Sequence, residues 1–373
     1  MRTLGGTRRK ERRVAAVRFG CCVGDFDGGV AFAQPAIRRG VSWWGRAPAA
    51  SDICTPRQSF TRTAQTGVCV CDIISVVGES SSALIATAAD GRTLMAAEWG
   101  DLDGFPVFSL HGTPGSRLGR HHDESAYVEV GARVITYDRP GYGGSDRHRG
   151  RRVVDCVSDV AVIADELGVE RFAVTGGSGG GPHSLALAAR LPTRVTRASC
   201  DVGVVPFETP DFDWFEGMDP LNVREFEWAL QGEDVLAREY EREAAEMLER
   251  VAADPSKVLG EDWQLSEADR AELEKSERHE VVREMITEAF RNGVWGTVDD
   301  MLCVTKPWGF DIAEIRVPTR IMYGLTDVLV PRQHGDWLAR NVPNAEVVID
   351  EGAGHIPDLE RVIEHYRWLV QST

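Results

Sequence analysis

A serine enclosed by glycines, Gly176-Gly177-Ser178-Gly179-Gly180, stands between a short β-forming run at 172–175 and an Ala/Leu-rich helical run at 182–191. Few arrangements constrain a chain more. A G-x-S-x-G at a strand–turn–helix junction forces a sharp turn at the serine, and glycines two before and two after leave room for strand and helix to close on each other. The hydroxyl is then held above a sheet edge, beside amides that open the helix. The competing use of such a turn is a phosphate loop. The chain lacks both G-x-x-x-x-G-K-[ST] and the G-x-G-x-x-G order.

The flanking pattern extends this unit into a fold. Two strands are expected at 83–88 and 93–98, joined through Asp90-Gly91, a hairpin signal. A strand at 106–110 runs into His111-Gly112, a helix is expected over 117–130, a strand over 133–137 and a helix over 153–167 ending at Gly168. Another strand is expected over 195–200. Strands alternating with helices build a mostly parallel sheet with helices on both faces. The alternation stops near Pro206. To about 304 the chain is acidic, Trp-rich and helical, with helices expected over 235–251 and 266–291. It then resumes with a strand at 320–323, a helix at 334–341, a strand at 346–349 and a helix at 359–370. The expected organisation is an α/β core of 79–205 and 305–373 with a helical cap, 206–304, inserted over its active face.

Charge and cysteine set the first residues apart. Formal net charge is −16, yet residues 1–78 hold 12 Lys+Arg against 5 Asp+Glu, which leaves −23 for the rest. Five of eight cysteines lie there too. This segment has no sustained period of 2 or 3.6 and reads as an irregular, disordered leader. Cys69-x-Cys71 has no second pair to complete a zinc site. A signal-peptide reading of Arg12-Arg13 to Ala33 is broken by Arg18, Asp25 and Asp27. The expected location is cytoplasmic, with Cys156, Cys200 and Cys303 as free thiols. The net negative charge speaks against nucleic acid as a partner, and no apolar run reaches 18 residues, so no membrane span is expected.

A serine hydroxyl needs a base within hydrogen-bonding reach and a group that fixes the base's tautomer. Two residues downstream follow expected strands, as ligand-binding groups do in open α/β sheets. Asp327 follows Gly324-Leu325-Thr326, and His355 ends Glu351-Gly352-Ala353-Gly354-His355. They are the candidate acid and base, with Asp201 the second choice of acid. His183, His334 and His365 fall inside expected helices and are weaker candidates. Acyl transfer also needs preset donors for a developing oxyanion. The amides of Gly179 and of Thr113, in His111-Gly112-Thr113-Pro114-Gly115, are the candidate pair. His111, Gly112, Trp214 and Trp308 are candidate substrate contacts. Glu216 or Asp219 could bind a substrate amine.

In order, His111–Gly115, Tyr137-Asp138-Arg139-Pro140-Gly141-Tyr142-Gly143-Gly144-Ser145, Gly176–Gly180, Gly324–Asp327 and Gly354-His355 resemble the α/β-hydrolase superfamily over roughly 82–372. The resemblance implies the α/β-hydrolase fold, a mostly parallel eight-stranded sheet with a helical cap, and no metal or cofactor. Within it, Asp138-Arg139-Pro140-Gly141 reads as a structural turn. Ser178 separates the chain from the branches whose nucleophile is Asp, the epoxide hydrolases and haloalkane dehalogenases. The His-Gly-x-Pro-Gly loop is similar to that of proline iminopeptidases, which typically carry an aromatic residue where Gly179 stands. The expected activity is cleavage of a small-molecule carboxylic ester or related acyl bond. A proline iminopeptidase-like aminopeptidase, a C–C bond hydrolase and a slow-turnover receptor on the same scaffold stay open, as does a homodimer.

Overall fold

In this computed structural model the structure describes residues 83–371. The leader, the signal-peptide reading and Cys69-x-Cys71 lie outside the described residues.

Eight strands form one sheet in the order β1-β2-β4-β3-β5-β6-β7-β8. They are β1 (Leu84–Thr87), β2 (Thr93–Gly100), β3 (Phe105–Leu110), β4 (Ala132–Tyr137), β5 (Phe172–Gly177), β6 (Val195–Asp201), β7 (Thr319–Gly324) and β8 (Glu346–Asp350). β2 pairs antiparallel with β1 and β4, and every later pairing is parallel. The parallel strands are short and apolar, as strands covered on both faces must be.

Alternation along the strands divides the core. Phe108, Ile135 and Val174 point to one face, where they meet α2 (Cys156–Glu166) and α3 (Gly181–Arg190). Their neighbours Val107, Val134 and Ala173 point to the other, against α1 (Ser125–Glu129) and α10 (Leu359–Leu369), through Tyr127, Tyr366 and Leu369. Phe108 and Phe172 meet edge to face at 4.7 Å. Each fully buried ring of this kind contributes about 1.5–3 kcal/mol through the water it sheds.

Between β6 and β7 the chain is helical: α4 (Pro220–Gln231), α5 (Glu233–Ala253), α6 (Glu267–Glu274), α7 (His279–Ala289) and α8 (Trp295–Val304), before α9 (Arg332–Asn341) follows β7. Local chemistry sets the helix starts. Asp219 Oδ1 accepts the Leu221 amide and Pro220 occupies the first turn of α4. Ser266 Oγ accepts the Asp269 amide at the start of α6.

Two expected helices are corrected. The helix expected over 117–130 is only α1. Upstream, the Arg117 amide and guanidinium go to Asp138, Ser116 Oγ donates to the Met285 carbonyl, and the His121 amide donates to Tyr127 OH. These distant partners outcompete a local helical ladder. The helix expected over 266–291 breaks at Lys275, which is extended (φ −64°, ψ 113°). There Lys275 and Arg278 both reach back to Glu272, and Arg278 also donates to the Pro357 carbonyl, tying the break to the loop after β8.

Among the described residues no helix is long and apolar enough to cross a membrane. Cys156, Cys200 and Cys303 are free and buried.

Candidate active site

The parallel neighbours β3, β5, β6, β7 and β8 deliver their following loops to one edge of the sheet. Asp201 is the last residue of β6, and the loops after the other four strands carry His111, Ser178, Asp327 and His355 in turn.

Ser178 has φ +52°, a left-handed conformation that costs a side-chain-bearing residue of order 1–3 kcal/mol. The glycines around it show what holds it there. A Cβ on Gly176 would strike the Gly180 carbonyl. One on Gly180 would strike the Leu110 and His111 carbonyls. One on Gly179 would strike the Thr113 side chain. The glycine run is therefore the steric price of packing β5, the turn and the β3 loop together.

His355 Nδ1–H donates to Asp327 Oδ2 at 2.8 Å. Asp327 Oδ1 accepts the amides of Leu329 and Val330 at 2.8 and 2.9 Å, so its carboxylate is fixed on both sides. Burial disfavours the charged ring of His355. The charge and hydrogen bond of Asp327 outweigh it, with smaller help from Asp269 and Asp201, and the pKa is raised above 6.5. The three weaker candidates shift the opposite way. Burial takes His183 and His365 down to about 3 and His334 down to about 4. Each has a different partner: His183 Nδ1 the Gly179 carbonyl, His334 the Val205 amide and Trp214 carbonyl, His365 the hydroxyls of Ser199 and Thr175. A ring that refuses protons until pH 3 is a poor general base.

Asp201 sits at the end of β6. Burial, opposed by His355 and reinforced by Asp327, raises it to about 6. It lines the same cavity as Ser178 and His355, but the carboxylate bonded to His355 is Asp327.

Two cavities meet at Ser178, Gly112 and His355. One, about 350 Å³, is walled by Leu110, Leu273, Val281, Val282, Met285 and Ile356, with His111 also on its lining. The other, about 240 Å³, is lined by Thr113 and Gly179 and closed by Phe226, Trp263, Tyr240 and Glu225. Burial pushes Glu225 up to about 7 despite the hydrogen bond from Tyr240 OH. A larger cavity of about 700 Å³ against α10 reaches His355 but not Ser178.

Several expected contacts are corrected. Trp214 and Trp308 line neither cavity at Ser178. Both are buried, with their indole N–H groups donating to the Val205 and Val304 carbonyls. Asp219 caps α4 and accepts the Gln264 amide, while Glu216 is exposed. Neither lines the cavities at Ser178, and the helical-segment acids that do are Glu225 and Asp300. Nothing local in the acid-rich sequence of α4 and α5 distinguishes Glu225. Asp300 also escaped the sequence reading, although a pair of acids in the otherwise apolar run of α8 is a signal for it.

His183, Asp300 and Cys303 place ligand atoms within 4.8 Å of one another. Asp300, however, already accepts from the guanidinium groups of Arg139 and Arg151, at 2.5 and 2.7 Å. A metal ion there would face two fixed positive charges.

The sequence profile of the alpha/beta hydrolase fold family matches residues 106–362. The chain is 28% identical over 292 residues to the proline iminopeptidase of Xanthomonas citri, covering 71% of this chain and 88% of that protein. Among solved structures it is similar to an alpha/beta hydrolase fold protein from Nakamurella multipartita, at 22% identity and a TM-score of 0.54 over 78% of this chain and 99% of that one. It is also similar to a thermophilic esterase from Thermogutta terrifontis, at 23% identity and 0.56, over 78% and 98%. At these identities the two structures speak for the fold.

Proposed function

This chain belongs to the α/β-hydrolase fold family, and from that premise we propose that it is a serine hydrolase that cleaves a carboxylic ester or related acyl bond of a small molecule. Ser178 is the nucleophile, His355 the general base and Asp327 the acid that orients it. The Thr113 and Gly179 amides hold the oxyanion, and residues 206–304 form the cap. The observation that supports this best is a strained serine sharing a cavity with the one site histidine whose Nδ1 is bound to a buried, doubly anchored carboxylate.

With Nδ1 engaged by Asp327, Nε2 of His355 takes the Ser178 proton as the hydroxyl adds to the carbonyl carbon. The Asp327 charge stabilises the imidazolium. The tetrahedral intermediate collapses, His355 returns the proton to the leaving oxygen, and the alcohol departs. Water, deprotonated by the same nitrogen, then releases the acid from the Ser178 ester. The apolar wall of Leu273, Val281, Val282 and Met285 suits an apolar limb of the substrate. The test is turnover of short p-nitrophenyl esters together with labelling by a fluorophosphonate. Ser178→Ala should abolish both while the protein stays folded, and undiminished turnover in that variant refutes the assignment. A single turnover without recycling in the wild type would favour a receptor.

A second reading, an aminopeptidase, is favoured by the Xanthomonas relative and by Glu225. Above its pKa of about 7 that carboxylate offers a substrate ammonium the anion it needs. Prolyl p-nitroanilide cleaved faster than p-nitrophenyl butyrate would decide for it.

A further inference from the structure

We propose that Asp300, a carboxylate of the inserted helix α8, is a positioning residue of the oxyanion site: through Arg139 and the Thr113 hydroxyl it fixes the peptide whose amide meets the developing charge. This rests on the serine-hydrolase reading above and adds a role to a helix outside the α/β core.

The observations form a continuous chain of contacts. Asp300 Oδ2 accepts from Thr113 Oγ1 at 2.7 Å, Arg139 Nη2 at 2.5 Å and Tyr142 OH at 2.9 Å, while Oδ1 accepts from Arg151 Nη2 at 2.7 Å. Asp300 and Arg139 are sealed from solvent. Burial disfavours the Asp300 charge, but Arg139 and Arg151 more than compensate and hold it well below the usual carboxylate range. Arg139 in turn donates to the two carbonyls that precede Thr113. Nη1 goes to His111 O, and Nη2 to Gly112 O at 2.9 Å.

The last contact matters most. A trans peptide is planar, with its C=O and N–H pointing in opposite directions. The Gly112 carbonyl shares a peptide unit with the Thr113 amide. Fixing that carbonyl on the buried Arg139 turns the Thr113 N–H the other way. Asp300 fixes the same residue a second time through its hydroxyl. Preset donors of this kind act without reorganising when charge develops, which is the source of their catalytic effect.

The anchor is rigid because α8 touches the core backbone to backbone. A Cβ on Gly141 (φ +92°) would lie 2.9 Å from the Gly296 amide nitrogen, and one on Gly296 would strike the Tyr142 ring. α8 therefore cannot slide on the Asp138–Tyr142 turn without a clash.

The experiment measures kcat, KM and the inhibition constant of a boronic acid, which forms a tetrahedral adduct with Ser178. Asp300→Asn leaves two buried guanidinium groups undercompensated and is expected to lower Tm. The decisive variants are therefore Thr113→Val, which removes the hydroxyl bond and keeps shape and backbone amide, and Thr113→Ser, which keeps the bond. Thr113→Val should lose roughly 10- to 100-fold in kcat, less than the full loss of an oxyanion donor. KM should stay within about twofold, boronate binding should weaken in parallel with kcat, and Thr113→Ser should recover most of the rate. A purely structural role would move Tm without this split between ground state and transition state. An active wild type with Thr113→Val unchanged in kcat and boronate affinity overturns the inference alone. A wild type that neither turns over esters nor takes a fluorophosphonate overturns it together with the reading it rests on.

Discussion

Asp327 divides its carboxylate between His355 and its own loop: Oδ2 lies 2.8 Å from His355 Nδ1, and Oδ1 accepts the amides of Leu329 and Val330. The histidine is thus held by an acid that cannot swing away. Asp327→Asn keeps the shape but removes the charge and presents an amide that favours the wrong tautomer. We expect kcat to fall by about 10³–10⁴. The pH profile should move as well. Activity needs neutral His355, so the wild-type rate rises with pH through a midpoint above 6.5, where Asp327 has raised the pKa over the opposition of burial. Without that charge the midpoint moves down. kcat/KM measured from pH 5 to 9 checks both parts. The same shift carries a stability consequence: a pKa raised on folding contributes fully below about 6.5 and is lost as pH climbs through the folded value.

Gly179 and Thr113 are pressed together, so one methyl group reports on their contact. A Cβ at residue 179 would lie 2.9 Å from Thr113 Cβ and overlap its hydroxyl. Gly179→Ala should push the two amides apart. The expected result is a kcat lowered by roughly 10²-fold or more with the fold retained, checked by steady-state kinetics beside a thermal melt.

Much of this site was legible because its requirements are local. Gly176, Gly179 and Gly180 are dictated by atoms within a few residues of the turn or in the adjoining strand's loop, and strand ends followed by turns mark the places of Asp327 and His355. Partner choice across long separations was not legible. Asp300 meets Thr113 across 187 positions and Asp269 meets the Ile356 amide across 87. No periodicity encodes either pairing. The helix misread at 117–130 fails for the same reason, since its helical spacing is overruled by Asp138 and Met285. Trp214 and Trp308 show the other limit. An indole suits a cleft or a core equally well, and here a carbonyl within the packed interior takes each N–H.

If the apolar cavity takes one limb of the substrate, as proposed, its volume predicts a size limit on that limb. Val282 lines it beside Leu273 and Met285 and takes no part in the proposed chemistry. Val282→Phe adds bulk inside a space of about 350 Å³. KM for p-nitrophenyl octanoate should rise by about 5- to 150-fold, in keeping with about 1–3 kcal/mol for overpacking, while p-nitrophenyl acetate should be hydrolysed nearly as before. Equal effects on both esters would show that this cavity does not hold the acyl chain.

Asp201 gives a stability prediction whose sign is opposite to that of a paired carboxylate. Burial, partly relieved by His355 and aggravated by Asp327, raises its pKa from 3.8 to about 6. In the unfolded chain it ionises near 3.8, in the folded protein near 6. Between those values the unfolded state releases a proton that the folded state keeps, so stability falls as pH rises. Above about 6 the loss is complete and constant. Asp201→Asn removes the titration while keeping the shape. Its Tm should match the wild type near pH 3.5, exceed it progressively from pH 4 to 6, and stay above it at pH 8, as scanning calorimetry across that range would record. A variant less stable than wild type at pH 8 would mean that the carboxylate is held by favourable interactions rather than trapped by burial beside Asp327.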